Sequence, residues 1–273
     1  MRQTPPWEWP EGTDKMLVDK LRDRGTNAHD RLLAAELAGD LVVINEQLVE
    51  SLLSILQSKD ESESLRGQAA LSLGPVLELA DMDGFEDPDD IPISEVSFNQ
   101  IQKSLRELYL DAGVPKELRR LILEASVRAP QDWHQGAARA AYSSDDEAWS
   151  LTAVFCMRFV RGFDEQILKA LDSDNAEIHC NAVIAAGNWE LDAAWPHIAA
   201  LVTSDKTDKP LLLAAIGAIA TVRPEEALDI LNDLIDSDDE DIVDAVQEAI
   251  AMAEGLLNDD EDEDDKDEDT LPN

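Results

Sequence analysis

Side chains that bind metals or attack substrates are few in this chain, and none of them is spaced for a reaction. There are four histidines (His29, His134, His179, His197) and two cysteines (Cys156, Cys180). A zinc or iron centre needs such ligands at close spacing. Here they are scattered, with neither an HExxH motif nor a His-Glu pair. His179 and Cys180 are adjacent, so on a helix they point to different faces. There is no GxxxxGK[ST] or GxGxxG loop to cradle a phosphate, and no Gly-x-Ser-x-Gly elbow to activate a serine. Carboxylate pairs abound in so acidic a chain and single out no general acid or base. The stretch Asp81-Met82-Asp83-Gly84-Phe85-Glu86-Asp87 is faintly like a calcium loop, but Pro92 stands where the closing glutamate belongs. The expectation is a protein that is not an enzyme, with no catalytic residue, cofactor or metal site.

The elements carrying these residues follow a period of about 30. Segments beginning at Asp30, Leu65, Leu118, Ala148, Ile178, Leu211 and Ile242 align in register, with starts 35, 53, 30, 30, 33 and 31 residues apart. Four residues into each come Ala34, Ala69, Ile122, Thr152, Ala182, Ala215 and Val246. One turn later come Ala38, Leu73, Ser126, Cys156, Ala186, Ile219 and Ile250. These residues are mostly small or branched, forming a stripe that lets neighbouring helices approach closely. About 13 residues before each start lies an apolar pair such as Leu17/Leu21, Leu52/Leu56 or Ile167/Leu171. One helix pair cannot hide both stripes, so its neighbours must. The fold class is therefore all-α, an α-α superhelix: a right-handed solenoid of about seven helix pairs. The pairs are expected at 17–25 with 29–38, 43–56 with 65–79, 98–111 with 116–127, and 133–142 with 147–159. Pairs at 163–171 with 177–187, 193–202 with 209–220, and 225–235 with 241–257 complete the set.

Composition agrees. Of 273 residues 44% are apolar and only 5% aromatic, which gives a Leu/Ile/Val/Ala core. Residues 1–12, rich in Pro and Trp, predict an extended arm, and 13–257 the solenoid. An acidic, proline-bearing loop at 81–97 interrupts the rhythm and accounts for the long 53-residue step. Residues 258–273 predict a disordered tail, with ten acids against one lysine. The net charge is −38, of which the tail holds −9, so acidity is general. Direct nucleic-acid binding, which needs basic surface, is disfavoured. The longest apolar run, 211–222, is too short to cross a bilayer, and residues 1–7 lack a signal peptide's apolar core. Two cysteines inside helical repeats predict buried free thiols in a reducing cytoplasm.

These residues resemble the HEAT repeat in its short bacterial form, named after the phycobilisome lyases. The best copies are 64–74 (Ser64-Leu65-Arg66-Gly67-Gln68-Ala69-Ala70 and onward) and 174–187 (Asp174 through Ile178-His179-Cys180-Asn181-Ala182-Val183 to Gly187). The resemblance implies a scaffold or adaptor. It also implies a ladder in which a turn aspartate faces an arginine one residue after the register start. Arg31, Arg66 and Arg119 keep that position, while Trp149, His179, Leu212 and Val243 replace it. The His-Glu dyads of the deoxyhypusine hydroxylases, which share the repeat, are missing.

The later repeats keep turn acids at Asp145, Asp172/Asp174, Asp205 and Asp236/Asp238 without that arginine. The plainer role for them is capping helix N-termini; the functional one is a row open to a basic ligand. Trp189 and Trp195 flank one turn, either sealing it or forming a partner's hot spot. Trp7 and Trp9 either cap the first repeat or dock on another protein. The candidate partner-binding residues are thus Trp149, Asp174, His179, Trp189, Trp195, Asp205 and Asp238. The expected function is a cytoplasmic scaffold holding another protein, one with a basic surface, with no membrane contact. A bilin-lyase-like protein positioning a chromophore and its acceptor is one alternative. An acidic chaperone or DNA mimic for a nucleic-acid-binding protein is another.

Overall fold

The computed structural model describes the backbone of residues 4–85 and 91–268, with side chains to residue 258. Among them are fifteen α-helices and two 3-10 turns, and no strand. Two compact units divide near residue 137.

The first unit begins with a 3-10 turn, Pro6–Glu8, inside the arm expected to be extended. There Trp9 donates its indole N–H to the Thr4 carbonyl, while Trp7 stays exposed. Helices α1 (Thr13–Arg22) and α2 (Ala28–Leu37) form the first pair, α3 (Glu46–Gln57) and α4 (Glu63–Ser72) the second, and α6 (Glu95–Leu110) and α7 (Lys116–Ser126) the third. First helices lie on first helices, α1 on α3 and α3 on α6; second helices do likewise, α2 on α4 and α4 on α7. One helix expected over 65–79 is instead two, α4 and α5 (Gly74–Asp83). Pro75 explains the break: it has no N–H to donate, and its ring clashes with the carbonyl four residues back. On either side of residues 86–90, which lie outside the described residues, Ile91 and Ile93 are buried and Phe85 is edge-on to Phe98. Asp81 and Asp83 lie on the last turn of α5, not in a loop, and Glu86 and Asp87 fall outside the described residues. Helix α8 (Asp132–Tyr142) spans the division between the units.

The second unit holds α9 (Glu147–Cys156), α10 (Asp164–Ala170), α11 (Ala176–Asn188), the 3-10 turn Asp192–Ala194, α12 (Trp195–Val202), α13 (Lys209–Val222), α14 (Pro224–Asn232) and α15 (Glu240–Glu268). Here α9, α11, α13 and α15 stack in sequence, with α10, α12 and α14 against their partners. Helix α15 continues to residue 268, beyond the expected solenoid end at 257.

The stripe read from the sequence is the seam of both stacks. Ala34, Ala69, Ile122, Thr152, Ala182, Ala215 and Val246 are all at most 2% exposed. Ala38, Leu73, Ser126, Cys156, Ala186 and Ile219 are buried too, and Ile250 is half-buried. The approach is close enough that a Cβ on Gly187 would lie 2.7 Å from the Ala218 Cα. Cys156 is buried as expected, whereas Cys180 is half-buried.

Candidate functional site

All seven candidate residues fall in the second unit, and they sort by which end of the stacked helices they occupy. At one edge lie the N-termini of α9, α11, α13 and α15. Asp146 accepts from Ala148 N–H, Asn175 from Glu177 and Ile178, Asp208 from Leu211, and Asp239 from Asp241. Successive turns are linked across the stack. Asn175 donates to Glu147 at 2.8 Å, and the Lys209 ammonium bonds Asp239 at 2.7 Å and Asp241 at 2.6 Å. Those bonds hold the Asp239 carboxyl below its usual range and raise Lys209. The caps are therefore the neighbours of the predicted acids. Asp174, Asp205 and Asp238 are exposed, cap no helix and make no ion pair among the described residues. The positive ends of four parallel helix dipoles lie beneath this row and offset part of its repulsion.

The register position behaves differently in the two units. In the first, the buried Arg31 guanidinium bonds the Leu21 carbonyl at 2.9 Å and both oxygens of Glu61 in the next turn, at 2.8 and 2.9 Å. The Arg66 Nε likewise donates to the Leu56 carbonyl at 2.8 Å. Each arginine thus satisfies an orphan carbonyl at the end of the preceding helix, where a cation is favoured. The expected turn-aspartate partner is Glu61 for Arg31. For Arg66 the partner seen is a carbonyl. In the second unit Trp149 is buried at this position.

His179 corrects the expectation of scattered histidines. Its Nε2 lies 2.8 Å from the Nε2 of His197 on α12, with ring centroids 5.0 Å apart and planes at 69°. Partial burial first, then the neighbouring imidazole, lower its pKa, while Asp172 and Asp208 pull the other way. The sequence reading named His197 only among the scattered histidines and not as the partner of His179, for no local motif links positions 18 apart on different helices.

Trp189 and Trp195 lie apart from this edge. Ten residues of helical rise, about 15 Å, separate Trp189 from His179. The Trp189 indole donates to the Met157 carbonyl at 2.5 Å, and the Arg161 guanidinium lies 4.7 Å over its ring. Arg223 sits 5.5 Å over Trp195 and bonds Asp192 at 2.6 Å. The structure brings Asp174, His179, Asp205 and Asp238 to one edge and places Trp189 and Trp195 at the turn between repeats, both half-buried. Among the described residues no group of three or more His, Cys, Asp or Glu side chains is arranged to hold a metal ion. None of their helices is long and apolar enough to cross a membrane.

Helix pairs recurring every 30 residues or so, with second helices lying on second helices, define an α-solenoid repeat protein. The family model for HEAT repeats matches residues 165–253, from α10 into α15. Among solved structures, human deoxyhypusine hydroxylase in complex with glycerol is similar at 16% identity and a TM-score of 0.41, over 92% of this chain and 87% of that one. An engineered protein is similar at 18% identity and a TM-score of 0.35, over 90% and 98%. No curated protein sequence matches the chain.

Proposed function

We propose that the protein is a non-catalytic scaffold that holds a partner protein with a basic surface along the acidic turn row of its second unit. The observation that carries this reading is the trio Asp174, Asp205 and Asp238: exposed, on successive stacked turns, and engaged neither as caps nor in ion pairs. Carboxylates left unneutralised at a rigid spacing present a charge pattern that a basic partner complements, which sets specificity and on-rate. The repeat itself favours this reading, because stacked pairs build an extended surface instead of a pocket.

The test is binding of a fluorescent Lys/Arg-rich peptide to the full chain and to the triple variant Asp174→Lys, Asp205→Lys, Asp238→Lys. Three exposed charge contacts at about 0.5 kcal/mol each give a loss of about tenfold or more. A second triple reversal, at the exposed Asp19, Asp60 and Glu95 of the first unit, serves as the control. An equal loss in the control would mean that only overall charge matters, and the row would not be the site.

A further inference from the structure

The N-terminal arm forms one wall of a groove in the first unit, in which the turn row of the second unit has no part. Pro6–Glu8 make the 3-10 turn, with Pro5 before it and Trp9 after it in extended backbone. Gly12, in the left-handed region, bends the chain into α1, and the buried Thr13 donates its hydroxyl to the Pro10 carbonyl at 2.7 Å. The arm is thereby held beside residues 42–45, and a groove of about 400 Å3 runs between them.

Pro6, Pro10, Val42 and Ile44 give the groove apolar walls. Trp7 and Trp9 add two indoles, and Glu11 and Asp14 two carboxylates; among the described residues no Lys, Arg or His lines it. Asn45 orients Asp14 by donating its amide N–H to one carboxylate oxygen at 3.2 Å. Neither acid makes an ion pair among the described residues. Trp7 is 76% exposed. A large ring left in water beside apolar walls marks a surface that another molecule covers.

The charges say what kind of molecule. Indole faces attract cations, and two unpaired carboxylates in a chain of net charge −38 attract them further. Arginine suits such a groove best. Its flat guanidinium stacks on a ring while its N–H fork bonds a carboxylate, and its methylene stem lies on apolar surface. The second unit contains the finished arrangement: Arg223 stands 5.5 Å over the Trp195 ring and bonds Asp192 at 2.6 Å. At the arm the tryptophan and the carboxylates are in place, and no described cation completes the set. We infer that this groove binds an arginine side chain of a partner protein, its guanidinium stacked on Trp7 and paired with Glu11 or Asp14.

The test is a titration of the 15N-labelled full chain with the capped tripeptide acetyl-Leu-Arg-Leu-amide, followed at the tryptophan indole N–H resonances. The Trp7 indole is expected to shift saturably. The same peptide with glutamine in place of arginine should bind about fivefold or more weakly. Trp7→Ala, followed through the Trp9 indole, should weaken binding of the arginine peptide about two- to fivefold. The double variant Glu11→Gln, Asp14→Asn should weaken it to a similar degree. The comparison of the two peptides on the wild type is decisive should a variant fail to fold. Equal shifts with both peptides overturn the inference, and so does arginine-peptide binding that moves neither arm indole. Because the readout is local to the arm, its failure would leave the turn row of the second unit standing, and the reverse holds too.

Discussion

His134 should make the protein's stability fall with acid, by an amount that the structure sets. It is 1% exposed, at the start of α8. Its Nδ1 accepts the Gln131 N–H at 2.8 Å, a bond that only an unprotonated nitrogen can take, and its Nε2–H is left facing the Ser126 hydroxyl at 3.0 Å. Burial drives its pKa from 6.5 down to about 4. A depressed histidine contributes its full stability above the unfolded value of 6.5 and loses it as pH falls toward 4, because the unfolded chain binds the proton first. At about 1.36 kcal/mol per pH unit, the loss between pH 7.5 and pH 5 is about 2 kcal/mol. Over the same range carboxylates begin to take up protons and relieve the chain's negative repulsion, so the wild type alone does not isolate the effect. Denaturant unfolding of wild type and His134→Gln does. The variant is expected to be the less stable near pH 7.5, from lost packing, and the gap should narrow by about 2 kcal/mol at pH 5. The imidazole resonances of His134 should titrate near 4 in the folded protein. A gap that stays constant with pH, or a His134 that titrates at its ordinary value, would refute the reasoning.

Gly187→Ala should destabilise the second unit by about 1–3 kcal/mol, since the new methyl meets the α13 backbone at Ala218 and not a flexible side chain; urea midpoints measure it. Arg31→Ala should cost about 3 kcal/mol in chemical unfolding, because it removes both short bonds to Glu61, leaving only Arg24 at 3.9 Å, and leaves the Leu21 carbonyl without that donor. Part of that pairing should also vanish in acid. The Arg31 hydrogen bonds hold the Glu61 carboxyl below its usual range, so the stability they confer is present above the ordinary carboxylate pKa and lost as pH falls through the lowered one. Wild type and Arg31→Ala should therefore converge in stability as pH falls below that range, and a difference that persisted unchanged would contradict it. Removing the Trp189 indole N–H with Trp189→Phe should cost about 1 kcal/mol by leaving the Met157 carbonyl without that donor, read as a lowered melting temperature.

What the sequence by itself determined was the repeat. Buried rows in a solenoid come from residues spaced three or four apart on one helix and reappear one repeat later. Local periodicity therefore revealed Ala34 through Val246 as the seam, and every one is buried. Asn27, Asn45, Ser62, Asn175 and Asp208 announce their helix starts in the same local way. The break at Gly74-Pro75 was legible too, yet the apolar period running through it led to the expectation of one helix over 65–79. Only the tertiary structure decided which side chains meet. His179 and His197 are 18 residues apart, on helices whose relation is set by how one pair stacks on the next. Arg31 reaches Glu61 across 30 residues, and Lys209 reaches Asp239 across as many. The period places Arg31 and Glu61, and Lys209 and Asp239, one repeat apart, but which side chains actually meet depends on the offset between neighbouring pairs. That offset is fixed by close packing of small residues such as Gly187 against the next helix, not by any local preference. The stacking also brings the turns that carry Asp174, Asp205 and Asp238 to one edge, where all three face solvent.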